Sequence, residues 1–262
     1  MRPILCLVAI LCGSSNVDAE GFDRELFDLW VAARAGTGTP VFWYSEGTVR
    51  TYPQGELLVR IEGFDAARVE RPADDPNIAY QLSRKVYVYR DPRTNEILRE
   101  FRGKPVAAIK FPYQHITYQL NGDRLETWVE QGAGKTYLKI GPGSDIQARR
   151  RGGSVVFTAP LFLDVEGPPG KRRTLFENYD FFIHENARDP RDRHQLSWLR
   201  YGDRDGLSDG PTVTHMVAWR VDRFEDLPSP IRQFVETEAK LWMQPPENKA
   251  EIQRLQQATP GT

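Results

Sequence analysis

The sequence predicts a mainly β protein, an antiparallel β-barrel of the lipocalin or calycin kind with an N-terminal helix and a C-terminal amphipathic helix. Short segments rich in aromatic and β-branched residues follow one another from Val41 to Val221. Turn signals such as Asn121-Gly122 and Arg151-Gly152-Gly153 separate them, the pattern of an all-β barrel or sandwich. No helical period alternates with these segments, which excludes a doubly wound parallel sheet.

Residues 1–19 read as an export signal. Arg2 supplies the charge, Ile4 to Leu11 the apolar run, and Val17-Asp18-Ala19 the small-x-small cleavage pattern before Glu20. That run is far shorter than the roughly 20 residues a membrane-spanning helix needs, so no stable membrane anchor is expected. Leu11 precedes Cys12 where lipid attachment wants a small residue. Both cysteines, Cys6 and Cys12, fall in the signal, so the processed chain is expected to carry neither a disulfide nor a thiol nucleophile. The expected location is periplasmic or secreted.

Residues 20–244 read as one barrel domain. Phe22, Leu26, Leu29, Trp30 and Ala33 recur at helical spacing, so a helix covers Phe22 to Arg34 and Gly36 closes it. Strands are predicted over Val41–Ser45, Leu57–Ile61, Lys85–Tyr89, Ile109–Leu120, Leu125–Glu130, Thr136–Ile140, Val155–Val165, Leu175–Glu185, Gln195–Tyr201 and Thr214–Val221. Ser229 is the expected N-cap of a last helix, with Pro230 in its first turn. Ile231, Phe234, Val235, Leu241 and Trp242 form the apolar stripe, and Pro245-Pro246 stops it. Residues 245–262 are polar and read as a mobile tail.

The net charge of −1 argues against a general polyanion binder. The basic clusters Arg149-Arg150-Arg151 and Lys171-Arg172-Arg173 lie in Gly- and Pro-rich stretches and read as solvated hairpin loops, so no nucleic-acid partner is expected. Gly132-Ala133-Gly134-Lys135-Thr136 lacks the earlier glycine and the following helix of a phosphate loop and reads as a hairpin turn. Asp203 to Gly210 lacks the glutamate of a helix-loop-helix calcium site and reads as an acidic turn. His115, His184, His194 and His215 show no zinc spacing, so no metal is assigned. Neither a G-x-S-x-G elbow nor a dinucleotide glycine fingerprint is present, and no cofactor is implied.

The segment from Leu175 to Glu185 carries the strongest chemical signal. On a strand, Phe176, Asn178, Asp180, Phe182 and His184 share one face, and Leu175, Glu177, Tyr179, Phe181, Ile183 and Glu185 the other. Ionisable groups among aromatics are costly to bury unless paired, so they mark a satisfied network or a ligand-facing wall. The catalytic candidates are His184, Asp180, Tyr179 and His115, with His184 favoured because imidazole titrates near neutral pH. Trp43, Tyr44, Tyr113, Trp198, Arg200 and Trp219 are the ligand-binding candidates. An outward His184 would transfer the candidacy to Glu177, Tyr179 and Glu185 by parity.

Several segments together resemble the bacterial DUF1838 family. They are Phe42-Trp43-Tyr44-Ser45-Glu46-Gly47-Thr48-Val49, Ile61-Glu62-Gly63-Phe64, Leu82 to Pro92 with its Tyr-Arg-Asp-Pro turn, and Phe224 to Arg232. The resemblance runs from about Leu26 to Trp242 and implies an exported protein. It assigns no activity, so it supplies no catalytic residues. Trp198-Leu199-Arg200-Tyr201-Gly202 departs from the Trp- and Pro-rich segment with a methionine found in that family.

The first functional expectation is an exported, cofactor-independent enzyme of the lyase or isomerase type. It would move a proton on a small apolar or aromatic molecule held in the barrel. The alternative is a lipocalin-like binding protein without turnover. Polar groups converging in the pocket favour the enzyme; a purely apolar lining favours the carrier.

Overall fold

The computed structural model describes residues 21–133, 136–140, 146–166, 172–185, 194–203 and 207–258. The segment expected to be an export signal, both cysteines, Lys171, Gly134-Lys135 and residues 204–206 of the expected acidic turn lie outside the described residues.

Helix α1 (Arg24–Ala35) is followed by strands β1 (Val41–Thr51), β2 (Leu57–Glu70), β3 (Ile78–Arg90), β4 (Glu100–Phe101), β5 (Lys104–Pro105), β6 (Ile109–Asn121), β7 (Arg124–Ala133) and β8 (Thr136–Ile140). Then come β9 (Gln147–Arg151), β10 (Ser154–Glu166), β11 (Arg172–His184), β12 (Gln195–Asp203) and β13 (Pro211–Val221). Helix α2 (Ser229–Glu238), a 3-10 turn over Lys240–Met243 and helix α3 (Lys249–Ala258) complete the chain.

Eleven strands form one sheet in the order β8-β7-β6-β3-β2-β1-β13-β12-β11-β10-β9, with every neighbouring pair antiparallel. The first strand of the long meander thus sits mid-sheet beside the last, and two runs of hairpins spread from that seam. The sheet curls into an open, calycin-like barrel, so β7 and β10, distant in strand order, face each other across one cavity. Ladders over long, strongly twisted strands favour such coiling.

Helix α1 lies on the concave side. Asp23 caps it by accepting from the Leu26 amide at 2.8 Å, and Gly36 ends it at φ +78°. A Cβ on Gly36 would meet the Thr39 carbonyl at 2.5 Å, so glycine is required at this corner. Trp30, 3% exposed, makes edge contacts with Phe157 of β10, Phe181 of β11 and Tyr118 of β6. One side chain thus ties together strands from both wings of the sheet. Arg220 donates to the carbonyls of Ala32 and Ala33, meeting the negative end of the helix.

The convex side is also covered, over part of its width. Phe42, Phe64, Val86 and Val88 pack under Phe224, Ile231, Phe234 and Val235. Helix α2 has Pro228 as its N-cap and makes no side-chain cap hydrogen bond there, so Ser229 stands one position inside the helix rather than at the cap. The segment after Pro246, expected to be mobile, instead folds as α3 and docks. Ile252 is buried against Leu82 and Tyr113, and Arg84 pairs with Glu251. The polar composition of α3 hides a narrow apolar stripe, which is enough to hold it on the sheet.

A register shift separates Ser83 from Lys85 opposite β6, where Gln114 and Phe111 are the successive partners. The extra residue on β6 leaves backbone carbonyls turned outward. The Trp242 indole donates to those of Lys85 and Phe111, and Arg84 to that of Pro112. Phe111 and Gln114 both line the interior as a result, which simple alternation along β6 does not allow.

The basic triplet Arg149-Arg150-Arg151 was expected to be a loop and is the end of β9, paired with β10. The hairpin reading holds for the turn that follows, where Gly152 and Gly153 both have positive φ. Among the described residues no helix is long and apolar enough to cross a membrane.

Candidate functional site

The barrel encloses a cavity of about 270 Å³. Its walls are apolar over much of their area, from Ile61, Ile109, Phe111, Leu161, Leu196 and Met216. Two groups of ionisable side chains break this lining.

The first stands on β11 and β12. Glu177, 7% exposed, accepts a short hydrogen bond from the Tyr179 hydroxyl and a longer one from Trp198 Nε1 at 3.4 Å. Arg200 Nε lies 3.4 Å from Glu177 Oε1. Glu177 and Arg200 are direct cross-strand partners, as are Tyr179 and Trp198, so the sheet register itself assembles the group. Burial, then the Glu177 charge, pushes the Tyr179 phenol well above its usual range, and the hydroxyl keeps its proton at neutral pH.

The second group joins α1 to β2 and β3. Asp65 Oδ2 is approached by Lys85 Nζ at 3.8 Å and by Arg34 Nη2 at 3.9 Å. Lys85 is the cross-strand partner of Asp65. Burial lowers the Lys85 ammonium, against the pull of Asp65, and burial raises the Asp65 carboxyl, against Lys85 and Arg34. For Arg34 burial acts downward, but Tyr118 and Asp65 outweigh it and the net shift is upward. The Arg34 guanidinium also lies over the Phe181 ring, 4.7 Å from its centroid. Tyr87 completes this wall, with its phenol raised by burial and by Asp65. A Cβ on Gly63 would meet the Tyr87 ring at 2.4 Å, so the glycine makes room for that ring.

A chain of neutral donors and acceptors runs across β3, β6 and β7. Tyr118 donates to Gln81 at 2.6 Å, and Gln114 donates to Gln131 at 2.8 Å, with the Ser83 hydroxyl linking Gln81 to Gln114. Such a network fixes side chains that would otherwise be costly to bury.

Among the sequence candidates, Tyr179, Trp198 and Arg200 line the cavity. Trp43 is buried on the concave side beneath it, in edge contact with Phe181. The others face outward. His184 sits at the end of β11 with its Nδ1 3.1 Å from the Ser154 hydroxyl and takes no part in the cavity wall. Asp180 accepts from Thr158 at 2.8 Å and Asn178 at 2.7 Å on the same outer face. His115 packs against Tyr80 near α3, its imidazole lowered by burial and by Lys249. Tyr113 lies under α3, and Tyr44 stacks on Trp219 beneath the convex surface. The parity reading therefore transfers to the opposite face of β11: Glu177 and Tyr179 line the cavity, while Glu185, beyond the strand, pairs with Arg150.

Arg34, Asp65, Lys85, Tyr87 and Gln114 were not singled out from the sequence. Lys85 and Tyr87 alternate in an aromatic strand, and Asp65 interrupts the apolar run of β2, so the signal was the same buried-polarity pattern that drew attention to β11. Among the described residues, no three His, Cys, Asp or Glu side chains gather in a way that could hold a metal ion. In comparisons with known proteins, the chain matches no family model, no curated protein and no solved structure.

Proposed function

We propose that this chain is an exported enzyme of the lyase or isomerase type that moves a proton on a small, largely apolar or aromatic molecule held inside the barrel. The observation that carries the reading is the convergence of Glu177, Tyr179, Trp198 and Arg200 on one wall of an otherwise apolar cavity. A carrier needs apolar walls and gains little from ionisable groups buried at such cost. A proton-transfer site needs a base of fixed orientation beside the substrate.

In this reading Glu177 accepts the proton from carbon. Tyr179, Trp198 and Arg200 aim its two oxygens, and the Tyr179 hydroxyl relays a proton back to the product. The apolar wall excludes water and strengthens the local field. The exported setting inferred from residues 1–19, the resemblance to the DUF1838 family and the independence from a cofactor belong to the same proposal. The resemblance adds no chemistry, since it assigns none.

The test is exchange of carbon-bound hydrogen. A panel of small aryl and alkyl carbonyl compounds is incubated with the protein in deuterated water and followed by NMR. Catalysed exchange is expected for some members, and Glu177→Gln is expected to slow it about 100- to 10,000-fold. Exchange unchanged by Glu177→Gln would remove Glu177 from the chemistry. Tight binding across the panel with no exchange would favour the lipocalin-like carrier.

A further inference from the structure

The Lys85 ammonium is under-used by its surroundings. It contacts Asp65 at 3.8 Å, outside hydrogen-bond reach, and among the described residues it makes no hydrogen bond. Its side chain lines the cavity, so its N–H donors are available to whatever occupies that space. The neighbouring Arg34 guanidinium approaches the same Asp65 oxygen at 3.9 Å, also too far for a hydrogen bond. Glu177, the acid among the cavity-lining residues, is committed to Tyr179, Trp198 and Arg200. The corner formed by α1, β2 and β3 therefore sets two cations against one carboxylate.

Around this cavity Arg34, Lys85 and Arg200 stand against Asp65 and Glu177, which leaves an excess positive charge in a low-dielectric pocket. An isolated buried charge is costly, and the cost falls when a counter-charge enters with hydrogen bonds. Next to this corner the wall is apolar, from Ile61, Ile109, Phe111 and Ile116. We propose that the cavity takes a small carboxylic acid with an apolar body, its carboxylate seated between Lys85 Nζ and the Arg34 guanidinium. The apolar body then lies along β2 and β6 toward the Glu177–Tyr179 wall. A planar carboxylate suits this corner because guanidinium and ammonium donors can bind its two oxygens at once. Burial presses on the Lys85 ammonium, and an entering anion relieves that pressure.

The inference rests on the cavity being a small-molecule site, and it names the charge and class of the molecule. It is tested by calorimetric titration with shape-matched pairs that differ only in charge, 3-phenylpropanoate against 3-phenylpropanamide and hexanoate against hexanamide. The acids are expected to bind at least about tenfold more tightly than the amides. Lys85→Met is expected to reduce that preference to less than about twofold, and Lys85→Arg to restore it. Equal binding of acid and amide, binding of neither, or a preference that survives Lys85→Met would overturn the proposal. The wild-type comparison needs no variant, so a Lys85→Met protein that fails to fold does not block the test. Acids that bind without exchanging carbon-bound hydrogen would sink the enzyme reading alone, and neutral compounds that bind and exchange would sink the acid proposal alone.

Discussion

Tyr179 and Glu177 offer a direct measure of how tightly the polar wall is built. Tyr179→Phe removes one oxygen and keeps the ring, which stacks on Phe181 at 6.2 Å and leans on Trp198 at 6.0 Å. The loss is therefore confined to the hydroxyl's hydrogen bond to Glu177. Hydrogen bonds to a charged partner contribute about 1.5–3 kcal/mol, and burial of Glu177 argues for the upper part of that range. Glu177→Met removes the acceptor and keeps an unbranched chain of similar length. Urea unfolding of the wild type, both single variants and the double variant gives a coupling energy free of each residue's other contacts. The expected coupling is about 1.5–3 kcal/mol, and for a chain of this size each kcal/mol moves the melting temperature by roughly 2–4 °C. Coupling below about 0.5 kcal/mol would mean that Tyr179 does not hold Glu177, and the proposed base would lose its orienting partner.

Alkaline pH is expected to destabilise the fold in a defined window. The phenols of Tyr87, Tyr118 and Tyr179 are raised, mainly by burial, so the unfolded chain releases these protons near pH 10 while the folded chain retains them. Their contribution is complete below about pH 10 and is lost above it, at roughly 1.4 kcal/mol per pH unit for each tyrosine. Urea midpoints that stay level from pH 9 to 11 would contradict the enclosed phenols. On the convex side, Phe234→Ala is expected to cost about 3–5 kcal/mol, because the ring is 4% exposed under α2. A loss below about 1 kcal/mol in the same unfolding assay would mean that α2 is not docked.

Apart from β9 and α3, the main secondary structure was legible because each signal was local. Aromatic and β-branched runs marked the long strands, Gly36 marked the end of α1, and Asp91 marked the turn it holds, accepting from the amides of Arg93 and Thr94 at 2.7 and 2.9 Å. The two faces of β11 were also correctly separated, since alternation needs only the strand itself. Which face looks inward was not legible. Helix α1 covers the concave side while α2 and α3 cover part of the convex side, so Phe42 and Trp43 are both buried and hydrophobicity no longer distinguishes in from out.

The sequence by itself therefore determined the β-rich class, the flanking helices and the pairing of acid with aromatic residues on β11. Tertiary structure alone decided that Glu177 and Tyr179 line the cavity while His184 and Asp180 do not, because the direction of sheet curl chooses the face. It alone brought Arg34 of α1 and Lys85 of β3 to one oxygen of Asp65 on β2. The bulge on β6 adds the last reason. One extra residue reverses alternation between Phe111 and Tyr113, and a period-two reading cannot register a residue that the ladder leaves unpaired.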